Sequence, residues 1–205
     1  MIEAIFFDLG KVLVDFDYFV GASELLKITP LPISEVVEIL SDAALINEFE
    51  TGSLSVMEYY RQASERLRIR VPLEIFQELW GSMFLPKPLV SEALLIALKK
   101  KHRLFLLSNT NEIHFKYVAK RYPLLRHIEE RILSYQVGCM KPDPKIFGLA
   151  INRAGVSPQQ ILFTDDRLDN IEAARACGIQ AIQFSSEAQL INDLRKLGIA
   201  SEEYN

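Results

Sequence analysis

Acidic, hydroxyl and amino side chains follow short apolar runs at four places in this chain of 205 residues. These groups are Asp8, the pair Ser108 and Asn109, Lys141, and the acids Asp165, Asp166 and Asp169. Short apolar runs bounded by turn signals are typical of buried strands. In an open α/β sheet, ligands bind beyond the carboxyl ends of the strands. The spacing therefore predicts that the four groups meet at one edge of a sheet.

The carboxylates of such a site need a counter-charge, because like charges a few ångströms apart repel and raise each other's pKa. A divalent cation bound by oxygen ligands supplies that charge, and Mg²⁺ suits a site of a few carboxylates with a substrate phosphate. Asp8 could bind the ion through one oxygen and attack phosphorus with the other. Ser108 and Lys141 would hold the phosphoryl oxygens, since phosphoryl transfer depends on positioning and charge neutralisation.

The elements that must position these groups follow from the apolar pattern. Predicted strands and helices alternate from Val90 to the end of the chain, which favours a Rossmann-like, doubly wound parallel sheet of the α/β class. Residues 16–86 show helical spacing instead, with a capping box at Ser55 and Glu58. We therefore expect a catalytic core of residues 1–15 and 87–205, with an α-helical cap of residues 16–86 inserted after the first strand.

Four segments in order resemble the motifs of the haloacid dehalogenase superfamily. They are Asp8-Leu9-Gly10-Lys11-Val12, Ser108-Asn109-Thr110, Lys141-Pro142 and Thr164-Asp165-Asp166-Arg167-Leu168-Asp169. The resemblance covers nearly the whole chain and is strongest to a branch that includes phosphatases of sugar phosphates. It implies that Asp8 is the nucleophile, that Ser108, Asn109 and Lys141 bind the phosphate, and that Mg²⁺ is the cofactor. The metal ligands it implies are Asp8, the carbonyl of Gly10, Asp165 and Asp169.

One position departs from the common phosphatase motif. That motif has a second Asp two residues after the nucleophile as general acid and base, and this chain has Gly10 there. Losing such assistance typically costs about 10²- to 10⁴-fold in rate. Asp15 or Asp17 could replace the missing acid or could serve in turns and caps, and Lys11 could reach the phosphate or point to solvent. Gly10 also favours a hypothesis that the substrate has an acidic leaving group, such as an anomeric hydroxyl.

Three functions stay open on these residues. The favoured one is a magnesium-dependent phosphatase that hydrolyses a small phosphomonoester, preferably a sugar phosphate, through a phospho-aspartate. The first alternative is a haloacid dehalogenase-type hydrolase, in which Asp8 attacks carbon and no metal is needed. The second is a catalytically silent phosphate-binding regulatory protein, for which Gly10 is the main argument.

Composition excludes several other classes. The longest apolar run, Ala93 to Leu98, is far shorter than the roughly 20 residues of a membrane-spanning helix. The N-terminus lacks the basic and apolar regions of a secretory signal. The two cysteines show no zinc or disulfide spacing, and the net charge of −4 includes no basic stripe for nucleic acid. We expect a cytoplasmic monomer or homodimer whose partner is a small phosphorylated metabolite, with no membrane or nucleic-acid partner.

Overall fold

Five short strands pair side by side in parallel at the centre of the computed structural model, which describes residues 1–199. The strands in chain order are β1 (Ala4–Phe7), β2 (Val14–Phe16), β3 (Phe84–Pro88), β4 (Arg103–Ser108), β5 (Glu130–Leu133), β6 (Ile161–Asp165) and β7 (Gln180–Gln183). The main sheet has the order β5-β4-β1-β6-β7. Strand β1 therefore lies in the middle, with β4 on one side and β6 on the other, and the predicted parallel α/β sheet is confirmed.

Side chains of β1 alternate between two hydrophobic cores, because successive residues of a strand point to opposite faces. Ile5 and Phe7 join the core on one face, and Ala4 and Phe6 join the core on the other. Phe6 stacks on Phe105 of β4 with ring centroids 4.6 Å apart. Both faces of the central strands are therefore buried, as expected for a parallel sheet covered by helices on both sides.

Helices connect and cover the strands. They are α1 (Tyr18–Leu26), α2 (Ile33–Leu40), α3 (Ala43–Glu50), α4 (Val56–Arg66), α5 (Leu73–Gly81), α6 (Glu92–Lys99), α7 (Glu112–Arg121), α8 (Ser134–Val137), α9 (Pro144–Ala154), α10 (Leu168–Ala176) and α11 (Glu187–Lys196), with 3-10 turns at Pro123–His127 and Pro158–Gln160. Helix α9 begins directly after Asp143, whose side chain accepts a hydrogen bond from the backbone N–H of Lys145. Within residues 1–199, no helix combines the length and apolarity that crossing a membrane requires.

Helices α1 to α5 lie between β2 and β3, and we call this part of the chain the cap. The cap has a hydrophobic core distinct from the two cores of the sheet domain. Aromatic rings dominate that core: Phe49 stacks on Tyr59 at 4.0 Å between centroids, and Phe76 stacks on Trp80 at 5.2 Å. The capping box of α4 forms as predicted, with Ser55 and Glu58 bonding to each other's backbone N–H. The cap therefore folds around its own apolar residues and packs on the sheet domain through Ile113 of α7, which joins the same core.

A two-stranded antiparallel ribbon, β2 with β3, joins the cap to the core. The helical pattern of residues 16–86 predicts no strand there, which is wrong at its C-terminal end because β3 begins at Phe84. The ribbon spans both junctions of cap and core. Its second strand reads Phe-Leu-Pro-Lys-Pro, and proline is expected in strands only at edges because it cannot donate a ladder hydrogen bond. Only the partner strand, far away in sequence, reveals it as a strand.

Candidate active site

The carboxyl ends of β1, β4 and β6 bring the predicted polar residues together. The backbone N–H of Asp8 donates to the carbonyl of Thr164 at 2.9 Å, so Asp8 continues the pairing of β1 with β6. Ser108 is the last residue of β4 and Asp165 the last of β6. Because the strands are parallel and in register, these residues share one edge of the sheet. All of them are buried.

Lys141 lies between two of these acids. Its ammonium group is 2.8 Å from Asp8 Oδ1 and 2.6 Å from Asp165 Oδ2, and it donates to the carbonyl of Leu107 at 2.9 Å. Its side chain is 1% exposed. Burial alone lowers the pKa of Lys141, but the two carboxylates outweigh that effect and hold the pKa above its ordinary value. Lys141 is therefore a charged group that keeps two buried acids close together.

The pKa of Asp8 responds to the same surroundings. It is raised to about 6, mainly by burial, while the ammonium of Lys141 lowers it and the charge of the neighbouring Asp165 raises it. An acid of this kind is largely ionised above neutral pH. Asp8 can therefore act as a nucleophile there, since nucleophilic attack needs the carboxylate.

Asn109 fixes the backbone of Lys141, and Ser134 fixes the residue after Asn109. The Asn109 side chain donates to the carbonyl of Lys141 at 2.8 Å and accepts from its N–H at 2.8 Å. The Ser134 hydroxyl in turn bonds to both backbone groups of Thr110 at 2.9 Å. Ser108 Oγ makes only a 3.4 Å contact with the carbonyl of Asn109, so its hydroxyl can still donate to a ligand. Asn109 therefore positions the lysine.

Three carboxylates form a group that suits a cation. Asp8, Asp165 and Asp166 each offer an oxygen, and these oxygens lie within 4.8 Å of one another. Burial, and then the charge of Asp165, raise the pKa of Asp166. A convergent set of carboxylate oxygens is what Mg²⁺ prefers, and it is costly to bury without a positive charge. These residues therefore fit the ion that the sequence predicts.

Asp169 lies outside this group of carboxylates. It forms an exposed ion pair with Arg167 at 2.6 Å, and this pairing lowers its pKa. The buried Asn170 next to it instead donates to both oxygens of Asp165, at 2.9 and 3.0 Å. The structure thus brings Asp166 to the site and leaves the expected ligand Asp169 at the surface. The metal role of the Gly10 carbonyl stays a prediction.

The position of the missing acid is filled by an aromatic ring. A Cβ added to Gly10 would lie 2.8 Å from Cε1 of Phe16. Lys11 turns away to Asp15, at 2.6 Å, and to the carbonyl of Phe16, at 2.7 Å. Asp17 caps helix α1. Both acids near Gly10 thus have other structural partners, so the protein has no side-chain acid immediately after the nucleophile.

A residue that the sequence analysis missed approaches from the cap. Glu50, at the end of α3, lines an apolar cleft of about 620 Å³ with Tyr18, Leu40 and Met140, the residue before Lys141. The pKa of Glu50 is raised to about 7, mainly by burial and also by the charge of Asp8, against the opposing effect of Lys141. No motif marks this glutamate. Its only sequence signal is an acid in the last turn of a helix, where the helix dipole disfavours negative charge.

Comparisons with known proteins agree with this geometry. A family model described as haloacid dehalogenase-like hydrolase matches residues 2–178. A D-ribitol-5-phosphate phosphatase of Bacteroides thetaiotaomicron is 28% identical over 200 residues, covering 95% of this chain and 97% of that protein. A phosphorylated carbohydrates phosphatase of Thermotoga maritima is 26% identical over 190 residues, covering 88% of this chain and 83% of that protein.

A solved structure is also similar to this chain over most of the length of both chains. It is a haloacid dehalogenase family enzyme of Bacteroides thetaiotaomicron, in complex with magnesium and inorganic phosphate. The two chains superimpose with a TM-score of 0.82 and are 27% identical, covering 91% of this chain and 96% of the other.

Proposed function

Because this chain belongs to the haloacid dehalogenase-like hydrolase family, we propose that it hydrolyses a small phosphomonoester of a sugar or polyol through a phosphorylated Asp8. The family that the four motifs predict is confirmed. The chain is a hydrolase of the phosphatase type, and its cofactor is Mg²⁺. The substrate class and the covalent step are the proposal.

The observation that carries the proposal is the buried contact of Lys141 with Asp8 and Asp165, beside Asp166. A nucleophilic carboxylate, a fixed ammonium and a set of oxygen ligands are the parts that phosphoryl transfer requires. The names of two relatives, a ribitol-phosphate phosphatase and a phosphorylated-carbohydrate phosphatase, support a sugar or polyol as the leaving group. We therefore expect a small phosphorylated metabolite as the partner.

In the proposed reaction, an oxygen of Asp8 attacks phosphorus and the bond to the leaving oxygen breaks. Ser108 donates its hydroxyl hydrogen to a phosphoryl oxygen. The Lys141 ammonium, whose three hydrogens are shared among Asp8, Asp165 and Leu107, exchanges one of these acceptors for a second phosphoryl oxygen. Asp8, Asp165 and Asp166 would hold Mg²⁺, which when bound neutralises charge on the phosphate. Water then releases phosphate from Asp8.

The test is phosphate release from a panel of phosphorylated sugars and polyols, with Mg²⁺ and with a chelator, for the wild type and Asp8→Asn. We expect magnesium-dependent release that Asp8→Asn abolishes, and phosphate on the peptide that carries Asp8 after acid quenching. Release of halide from a 2-haloacid, unaffected by the chelator, would favour the dehalogenase alternative. Phosphate binding without turnover on any substrate would favour the silent alternative.

A further inference from the structure

The cap places the carboxylate of Glu50, at the end of α3, within reach of the charges of Asp8 and Lys141. Besides the apolar cleft described above, Glu50 lines a second, smaller cavity between cap and core, together with Asn111 and His114 of the core. Within residues 1–199, its carboxylate has no hydrogen-bond or ion-pair partner. A half-buried position without a partner and a place at a helix C-terminus both disfavour its charged form. A group kept in a cleft at such cost is a candidate for function.

A close contact between cap and core holds this end of α3 in place. Gly52 has a φ of +71°, and a Cβ added there would lie 2.1 Å from the carbonyl oxygen of Tyr135 in α8. Only glycine permits both the backbone conformation and that approach. The loop directly after Glu50 therefore rests on the segment that leads to Met140 and Lys141. Glu50 and Met140 line the same cleft as a result.

The core lacks an acid at position 10, where the common phosphatase motif has its general acid and base. Gly10 offers no acid, and Phe16 occupies the space beside it. The other charged or titratable groups around Glu50 are Asp8 and Lys141 on the core side, Tyr18 and Tyr59 on the cap side, and His114 of α7. Burial lowers the pKa of His114 to about 4, so this ring is neutral and is not a proton donor at neutral pH.

We propose that Glu50 is the general acid and base of the reaction, supplied by the cap in place of the acid missing at position 10. This inference rests on the proposed function of Asp8. As Asp8 attacks phosphorus and the bond to the leaving oxygen breaks, the Glu50 carboxyl gives its proton to that oxygen, which leaves as an alcohol. Glu50 is then a carboxylate. It takes a proton from the water that attacks the phosphorus, the bond from phosphorus to Asp8 breaks, and Glu50 is protonated again.

The assignment fits the environment of the residue. General acids and bases work best when their pKa lies near the working pH, and burial brings that of Glu50 to about 7. The acid would be in place only when the cap covers the site. Proton transfer would therefore be coupled to cap closure, which excludes bulk water at the same time.

The test compares two leaving groups in the full-length protein with Mg²⁺. For Glu50→Gln, we expect kcat/KM for a polyol phosphate, whose alcohol is a poor leaving group, to fall by about 10² to 10⁴. For p-nitrophenyl phosphate, whose phenolate leaves without a proton, we expect kcat/KM to stay nearly unchanged. Steady turnover of that substrate should still slow after a burst of nitrophenolate, because water attack on phospho-Asp8 also needs Glu50.

The matched control is Glu48→Gln, which removes the same charge from an exposed position on the same helix. We expect it to leave both substrates unaffected. Glu50→Asp keeps an acidic proton but shortens the side chain, so its kcat/KM should fall for the polyol phosphate and not for p-nitrophenyl phosphate. This variant replaces Glu50→Gln in the test if Glu50→Gln fails to fold. Equal losses on both substrates, or no loss on either, would overturn the assignment of Glu50. If the wild type hydrolyses neither substrate, the proposed function itself fails. If the wild type is active and only Asp8→Asn loses turnover, the proposed function stands and the assignment of Glu50 fails.

Discussion

Replacing Lys141 with methionine should reveal how much this one charge contributes to the free energy of unfolding. The substitution keeps a side chain of similar length and removes an ammonium group that lies 2.8 Å from Asp8 and 2.6 Å from Asp165. Both partners then lose their counter-charge in a buried site. Breaking a buried ion pair by removing one partner typically costs about 3–5 kcal/mol. That is a large share of the roughly 5–15 kcal/mol that holds a domain folded.

The loss in the Lys141→Met variant should depend on pH in a defined direction. In the native protein the pKa of Asp8 is already raised from 3.8 to about 6, and Lys141 is the main influence that opposes this rise. Without Lys141 the pKa of Asp8 rises further. A carboxyl whose pKa is raised by folding destabilises the protein where it is ionised. The destabilisation should therefore be greatest above about pH 6 and shrink as the pH falls toward 4.

Magnesium should partly restore the Lys141→Met variant, because a bound cation supplies the lost charge and stabilises the folded state by mass action. The assay is urea unfolding at several pH values, with and without Mg²⁺. Lys145→Met, on the exposed start of α9, is the matched control and should behave as the wild type. The reasoning is refuted if Lys141→Met unfolds within about 1 kcal/mol of the wild type at pH 8 without Mg²⁺.

Three further predictions concern the surroundings of the same site. Gly10→Ala should destabilise the protein by about 1–3 kcal/mol through overpacking against Phe16, and Gly10→Ala combined with Phe16→Leu should recover most of that free energy of unfolding in urea titrations. Asn109→Ala removes two hydrogen bonds to the backbone of the site lysine, so kcat/KM should fall and the free energy of unfolding should drop by about 1–3 kcal/mol in urea titrations. Asp166→Asn should raise the Mg²⁺ concentration for half-maximal activity by at least about tenfold, whereas Asp169→Asn should leave it unchanged; equal shifts for the two variants would contradict the assignment of the carboxylate cluster.

Much of the core could be predicted because its signals are local. The apolar runs that become β1, β4 and β6 each end at a polar residue, and parallel pairing brings such ends to one edge of a sheet. Helix starts can be predicted in the same way, since Asp143 and Ser55 cap the helices that begin directly after them. Residue type and spacing along the chain are sufficient for features of this kind.

Features that depend on distant parts of the chain were not readable in this way. The ribbon of β2 and β3 needs two segments about 70 residues apart, and its second strand carries two prolines. Whether Asp166 or Asp169 lies next to Asp8 depends on the path of the loop after β6. In that loop Asn170 donates to Asp165, and Asp169 forms an ion pair with Arg167 at the surface. Sequence spacing alone does not encode those side-chain directions.

The amino-acid sequence by itself determined the α/β class, the cap inserted after the first strand, and the acids at the ends of β1 and β6, because periodicity and chain order are properties of neighbouring residues. Tertiary structure alone decided that Phe16 fills the space at Gly10 and that Glu50 of the cap shares a cleft with Met140 of the core. The physical reason is that both outcomes depend on how two separately formed cores pack against each other. Steric contacts such as that of Gly52 with Tyr135 set this packing, and no local pattern reports it.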